Sequence, residues 1–189
     1  MTGVGKRIMV VGGCGAGKTT FSLRLAELTG LPLTHLDVLG WRGNWEKVPR
    51  EEFNEKLAAA VAEDRWIIDG NYNKSMPVRL ERADTVFWFD FSGSRCLLGV
   101  LERFFRNYGK SRDDMGGDCP EKLDREKLIF FRDAFVTAKK THGRIAALLE
   151  DAEDKTVIVF RTRMQADRYL RDLSAQTGGE RKERDDGMG

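Results

Sequence analysis

Residues Gly12 to Thr19 read Gly-Gly-Cys-Gly-Ala-Gly-Lys-Thr, and no other stretch constrains the fold as strongly. The pattern G-x-x-x-x-G-K-[ST] is met at every position. The run Arg7-Ile8-Met9-Val10-Val11 before it has the β-branched, continuously apolar character of a strand buried on both faces. Phe21, Leu25 and Leu28 follow at helical spacing, so a helix is predicted to begin where the loop ends. In that setting the glycines let successive backbone N–H groups turn inward as a nest for phosphate oxygens, and the helix aims its positive end at the same anion. Lys18 is then placed to reach the outer phosphates and the Thr19 hydroxyl to ligate Mg²⁺. The nucleotide-binding set is Gly12, Gly13, Cys14, Gly15, Ala16, Gly17, Lys18, Thr19 and Thr20, and the ligands implied are ATP and Mg²⁺.

The rest of the chain reads as alternating strands and helices. The first helix is predicted to stop at Gly30, with Pro32 beyond it. Strands are predicted at Leu31–Leu36, Arg65–Asp69, Thr85–Phe89 and Thr156–Phe160, giving five with the first. Two of them end in acids, Asp37 and Asp69. Ligands of open parallel sheets bind outside the carboxyl ends of the strands, so both acids are predicted on the edge that carries the loop. Asp69 is assigned to the metal, with Thr19, while Asp37 reads as a functional residue by position, a helix cap or turn former being the alternative. His35 reads as a packed or edge residue. Trp41-Arg42-Gly43-Asn44-Trp45 reads either as a loop that stacks a planar substrate or as one whose rings pack beneath it.

Helices are predicted from Pro49, over Ser75–Arg82, over Ser94–Asn107, from Leu128 to Leu149, and over Ala166–Leu173. Tyr108 to Pro120 carries Lys110, Arg112 and two adjacent glycines but little apolar content, the composition of a long functional loop held by few buried contacts. Residues 1–174 are read as one domain with this lid at about 108–123, and 175–189 as a disordered tail.

Composition narrows the setting. The 32 basic and 30 acidic residues nearly cancel, which argues against direct nucleic-acid or membrane binding through a global field. Three cysteines without metal-ligand spacing fit a reducing compartment, and no apolar run reaches bilayer length, so a cytoplasmic protein is predicted.

His35-Leu36-Asp37 with Trp41, Trp66-Ile67-Ile68-Asp69-Gly70-Asn71-Tyr72, Arg79 to Asp84 and Cys119 to Leu123 stand in order after the loop. Together these blocks resemble the FlaR-like DNA topology modulation proteins, a bacterial group within the adenylate-kinase-like phosphate-loop kinases. The resemblance implies a three-layer α/β/α fold on a five-stranded parallel sheet, akin to nucleoside and shikimate kinases, with an arginine-bearing lid. It also implies that Asp37 contacts the phosphoryl acceptor and that Asp69 belongs to the Mg²⁺ network. Arg103, Arg106 and Arg112 would flank the lid, with Arg106 and Arg112 as the catalytic cations. Adenylate kinases follow Asp-Gly with Phe-Pro-Arg, whose arginine grips the acceptor phosphate; Asn71-Tyr72-Asn73 stands there instead. The implied activity is phosphoryl transfer from ATP to a small-molecule or nucleotide acceptor; an ATP-binding regulator acting on DNA or a protein partner is the rival.

Overall fold

The structure, a computed structural model, describes residues 4–110, 115, 117–150 and 152–186, with side chains through residue 177. Five strands form one parallel sheet: β1 (Arg7–Gly12), β2 (Leu33–His35), β5 (Trp66–Asp69), β6 (Thr85–Phe89) and β7 (Thr156–Phe160), in the order β2-β5-β1-β6-β7. All five predicted strands are present. Side chains alternate across the sheet because a strand repeats every two residues. Ile8, Val10, Ile67, Phe87 and Phe89 enter one core, and Met9, Val11, Trp66, Ile68 and Val86 the other.

Helices close both faces. On the first, α1 (Lys18–Thr29) contributes Phe21 and Leu25 while α7 (Arg163–Asp186) contributes Ala166 and Leu170. Phe21 sits edge-on to Phe87, Phe89 and Phe160 at centroid distances of 4.9, 5.3 and 5.4 Å, which locks α1 over the centre of the sheet. The second face is covered by α3 (Arg50–Ala62) through Phe53, Leu57 and Val61, by α4 (Met76–Arg82) through Met76 and Leu80, and by the end of α6 (Arg125–Leu149) through Ile145. The Asp124 carboxylate caps α6 by accepting from Lys127 N at 2.7 Å. α5 (Gly93–Arg106) runs from beneath the glycine loop to the start of the lid segment. Among the described residues no helix is long and apolar enough to cross a membrane.

Three elements differ from the sequence reading. Residues Leu36–Gly40 form a short helix, α2, and Trp41–Arg42 and Glu46–Lys47 pair as a hairpin, β3 and β4, where a plain loop is predicted. α7 does not end at Leu173 but runs to Asp186, so 175–186 are helical where composition predicts disorder; residues 187–189 lie outside the described residues. Ala175, Gln176, Glu180, Arg181 and Lys182 are good helix formers, and a helix already nucleated on the core extends through them at little cost. Through residue 177, α7 meets the core by Ala166, Tyr169, Leu170 and Leu173, while Ser174, Ala175 and Gln176 are exposed. Deleting residues 174–189 is therefore expected to shift the melting temperature by no more than about 2 °C, as surface changes stay within about 0.5 kcal/mol. A drop beyond about 5 °C in a calorimetric scan would show that the tail docks on the domain.

Candidate functional site

The glycine loop joins β1 to α1 at the carboxyl edge of the sheet, and three of its glycines, Gly12, Gly15 and Gly17, have positive φ. Gly12 has φ 139°, and a Cβ there would lie 2.3 Å from the Phe89 carbonyl oxygen of β6. Gly15 has φ 74°, and a Cβ there would lie 2.4 Å from the Cys96 carbonyl oxygen of α5. The loop is thus pressed between β6 and the first turns of α5. Lys18 Nζ donates to the carbonyls of Gly12 at 3.1 Å and Gly13 at 2.9 Å, folding the ammonium back along the loop's inner rim.

The acids stand where the sheet register places them. Asp69 is level with Val10 on β1 and with His35 on β2. Thr19, at the start of α1, donates its hydroxyl to Asp69 Oδ2 at 3.1 Å. His35 Nδ1 lies 3.1 Å from the same oxygen. His35 is packed, as the sequence reading expects, yet its packing partner is the metal-assigned carboxylate. Register explains this: partnered residues of adjacent parallel strands point to one face, about 4.8 Å apart. A threonine hydroxyl and one carboxylate are hard oxygen donors suited to Mg²⁺, which takes few protein ligands and completes its shell with phosphate and water.

Asp37 lies in the first turn of α2. The half-buried Tyr72 places its hydroxyl beside Asp37 and the Trp41 indole, and interacts with both. Burial first, then the charge and hydrogen bond of Asp37, push the Tyr72 phenol well above its ordinary range, so it remains a proton donor at neutral pH. Its ring stacks on Phe53 at 4.8 Å. The Tyr72 backbone is left-handed, with φ 35°, an unusual conformation for a bulky side chain.

The turn after Asp69 is held by two residues to which the sequence reading gives no role. Asn71 spans to the loop: its Oδ1 accepts from Gly12 N at 3.0 Å, and its Nδ2 donates to Gly12 O at 2.7 Å. A side-chain amide thus continues the ladder between β5 and β1 past the strand end. Arg79, wholly buried, donates from Nη1 to Gly70 O at 2.8 Å, from Nη2 to Asn71 O, and from Nε to Ser75 O at 3.4 Å. Burial pushes the guanidinium down to about 10 against the opposing pull of Asp69, so it stays charged at neutral pH. The Asp-Gly-Asn-Tyr run signals a special turn; a buried arginine four residues after Ser75 could be recognised only from tertiary packing.

The predicted lid is only partly as expected. Arg106 is exposed in the last turn of α5, roughly 10 Å along the axis from Gly99, which abuts Gly15. Arg112 lies outside the described residues. Rather than being loosely held, 117–121 dock on the β3–β4 hairpin. Asn44 N donates to Asp118 O at 2.7 Å, the Cys119 thiol to Arg42 O at 3.1 Å, and the Trp45 indole to Pro120 O at 3.1 Å. Lys127 lies 4.9 Å above the Trp45 ring and pairs with Glu121, which is 2% exposed. The apolar bodies and N–H groups of the tryptophans need partners, and this segment supplies them. Trp41 is half-buried and Trp45 exposed; their rings meet edge-on at 5.7 Å, and the Trp45 indole N–H is engaged by Pro120 O. Sequence reasoning also misses Arg163, at the start of α7, whose Nη2 donates to Gly15 O at 3.3 Å while Nη1 binds Glu102 at 2.9 Å.

No protein-family model matches the sequence, and neither does any curated protein. Solved structures do. The shikimate kinase from Acinetobacter baumannii in complex with shikimate shares 16% identity, with 92% of this chain and 95% of that one covered at a TM-score of 0.54. Shikimate kinase from Bacteroides thetaiotaomicron shares 18%, covering 90% and 97% at 0.50. With the sheet order, the glycine loop and the flanking layers, these likenesses show that the chain has the three-layer α/β/α fold of phosphate-loop kinases of the shikimate-kinase type.

Proposed function

We propose that this protein transfers the γ-phosphoryl group of Mg²⁺·ATP to the hydroxyl of a small-molecule or nucleotide acceptor. The observation that carries the reading is the Thr19 hydroxyl on Asp69 Oδ2 at 3.1 Å, directly beside the glycine loop. Bound there, Mg²⁺ would neutralise charge on the β- and γ-phosphate oxygens. Thr19 and Asp69 would hold the metal and its water, with His35 fixing the carboxylate's orientation. Backbone N–H groups from Gly13 to Thr19, followed by Thr20, would cradle the phosphates, and Lys18 would exchange its bonds to Gly12 and Gly13 for phosphate oxygens. Asp37, its position set by Tyr72, would orient the acceptor hydroxyl and take its proton. Arg106 and Arg112 would bring positive charge to the transferring group, and Arg163 would approach the nucleotide from α7.

The two acids separate experimentally. Asp69→Asn removes one anionic contact to the metal shell and is expected to raise the Mg²⁺ requirement about tenfold. Asp37→Asn keeps an acceptor for the Tyr72 hydroxyl. It is expected to lower acceptor turnover roughly tenfold or more, with ATP affinity within about twofold of wild type. Steady-state kinetics at varied Mg²⁺ decides: an Asp37→Asn enzyme with poor Mg²⁺·ATP binding and normal acceptor use would mean that the roles are reversed.

The finer identity within the fold, a FlaR-like topology modulation protein, belongs to the same reading, because the Ile67-Ile68-Asp69-Gly70-Asn71-Tyr72 block resembles that group. A regulator acting directly on DNA would bind it with a steep salt dependence. A formal net charge of +2 supplies little of the field such binding needs.

A further inference from the structure

The glycine loop carries one thiol, and a second lies on α5 where that helix meets the loop. Cys14 is exposed and Cys96 is buried. A Cβ on Gly13 would lie 2.3 Å from Cys96 Sγ, and one on Gly15 would lie 2.4 Å from Cys96 O, so α5 meets the loop at Cys96 on both sides of residue 14. Burial pushes the Cys96 thiol up, partly opposed by Lys18 and reinforced by the neighbouring Cys14 and Asp90. Cys119, the third thiol, is engaged with the hairpin at Arg42 O.

We propose that Cys14 and Cys96 form a disulfide modification site that closes the phosphate loop to nucleotide. The closure rests on the phosphate-loop reading above; the disulfide itself does not. The oxidant is a low-molecular-weight disulfide of the glutathione class. The Cys14 thiolate attacks one sulfur of that disulfide, whose S–S bond breaks. A mixed disulfide forms on Cys14, and one small thiolate leaves and takes up the proton that Cys14 lost. Cys96 then attacks the Cys14 sulfur, a Cys14–Cys96 bond forms, and a second small thiolate departs with the proton from Cys96. Two protein thiols are oxidised to one disulfide, and one small disulfide is reduced to two thiols. The exposed cysteine is the entry point because it alone meets solvent, and the buried one resolves the intermediate.

Because Cys14 is exposed and Cys96 buried, bridging requires the Cys14 side chain to turn from solvent toward α5 and the two Cα atoms to come to about 4.4–6.8 Å. The glycines on either side of it permit that rotation. The same rotation swings the amides of Gly13 to Gly15 out of the inward-facing nest, and triphosphate loses the donors that hold it.

The experiment incubates the full-length protein with oxidised glutathione or with dithiothreitol, maps thiols by peptide mass, and titrates Mg²⁺·ATP by calorimetry. Oxidised wild type is expected to yield the Cys14–Cys96 cross-linked peptide and at least a tenfold loss of affinity, both reversed by dithiothreitol. Cys96→Ser should stop at glutathione on Cys14. Cys14→Ser should yield neither the glutathione adduct nor the cross-linked peptide. Glutathione retained on Cys14 of wild type, with no cross-linked peptide, would overturn the pair. Cross-linked protein that binds Mg²⁺·ATP as well as reduced protein would overturn the closure. Reduced protein that binds no Mg²⁺·ATP would instead count against the phosphate-loop function, while the mass readout still decides the disulfide.

Discussion

Lys18→Ala is expected to lower phosphoryl-transfer kcat by on the order of 10²–10³, the usual loss when one preorganised donor to developing charge is removed. The reason is geometric. The ammonium is already held on the loop's rim by Gly12 O and Gly13 O, at 3.1 and 2.9 Å, so it would reach the outer phosphates of a bound triphosphate with little reorganisation. Triphosphate affinity should fall as well, because a charge-assisted contact to an anion is lost. The fold should survive, since the two bonds removed are local to a half-buried loop and contribute about 1 kcal/mol each. Calorimetry showing undiminished ATP affinity, together with near-wild-type kcat, would remove Lys18 from the site.

Arg79→Met carries the largest expected effect on stability. Methionine fills most of the volume but leaves the carbonyls of Gly70, Asn71 and Ser75 without their buried donor. Removing one partner of a buried charged network costs about 3–5 kcal/mol. For a chain of 189 residues that corresponds to a fall of roughly 6–20 °C in melting temperature. The turn that Arg79 holds positions Asn71 on Gly12 and Tyr72 on Asp37, so activity should fall more than the folded fraction alone accounts for. A urea titration giving less than about 1 kcal/mol of destabilisation would mean that water or backbone movement satisfies those carbonyls.

Much of the frame is legible in the sequence because it depends on short-range patterns. The glycine loop, the five β-rich runs and the acid ending the Trp66–Asp69 strand each announce themselves within ten residues or fewer. What is not legible depends on pairs distant in the chain. His35 meets Asp69 only because β2 and β5 pair in a register that puts them side by side. Arg79 reads as one of several surface cations until its helix turns it into the Asp69–Asn71 corner. The lid segment looks polar and loose in composition, yet Cys119 is buried against a hairpin about 75 residues away and Glu121 is buried beside Lys127. Polar composition predicts exposure on average, and a pair such as Glu121 with Lys127 defeats that expectation through a specific partner. The helix beyond Leu173 was hidden by Gly178-Gly179 and a high charge density, local cues that disfavour helix yet are outweighed by extension from a docked helix.

The proposed activity requires this site to move a phosphoryl group rather than merely to hold a nucleotide. The direct test supplies Mg²⁺ and γ-labelled ATP to the purified protein, with a panel of hydroxyl-bearing small molecules, nucleotides and a filtered small-molecule extract. Label should appear in a low-mass acceptor, depend on Mg²⁺, and be nearly lost in Lys18→Ala. Label confined to ATP and inorganic phosphate across the whole panel, with duplex DNA bound in a steeply salt-dependent manner, would contradict the claim and establish the regulatory reading.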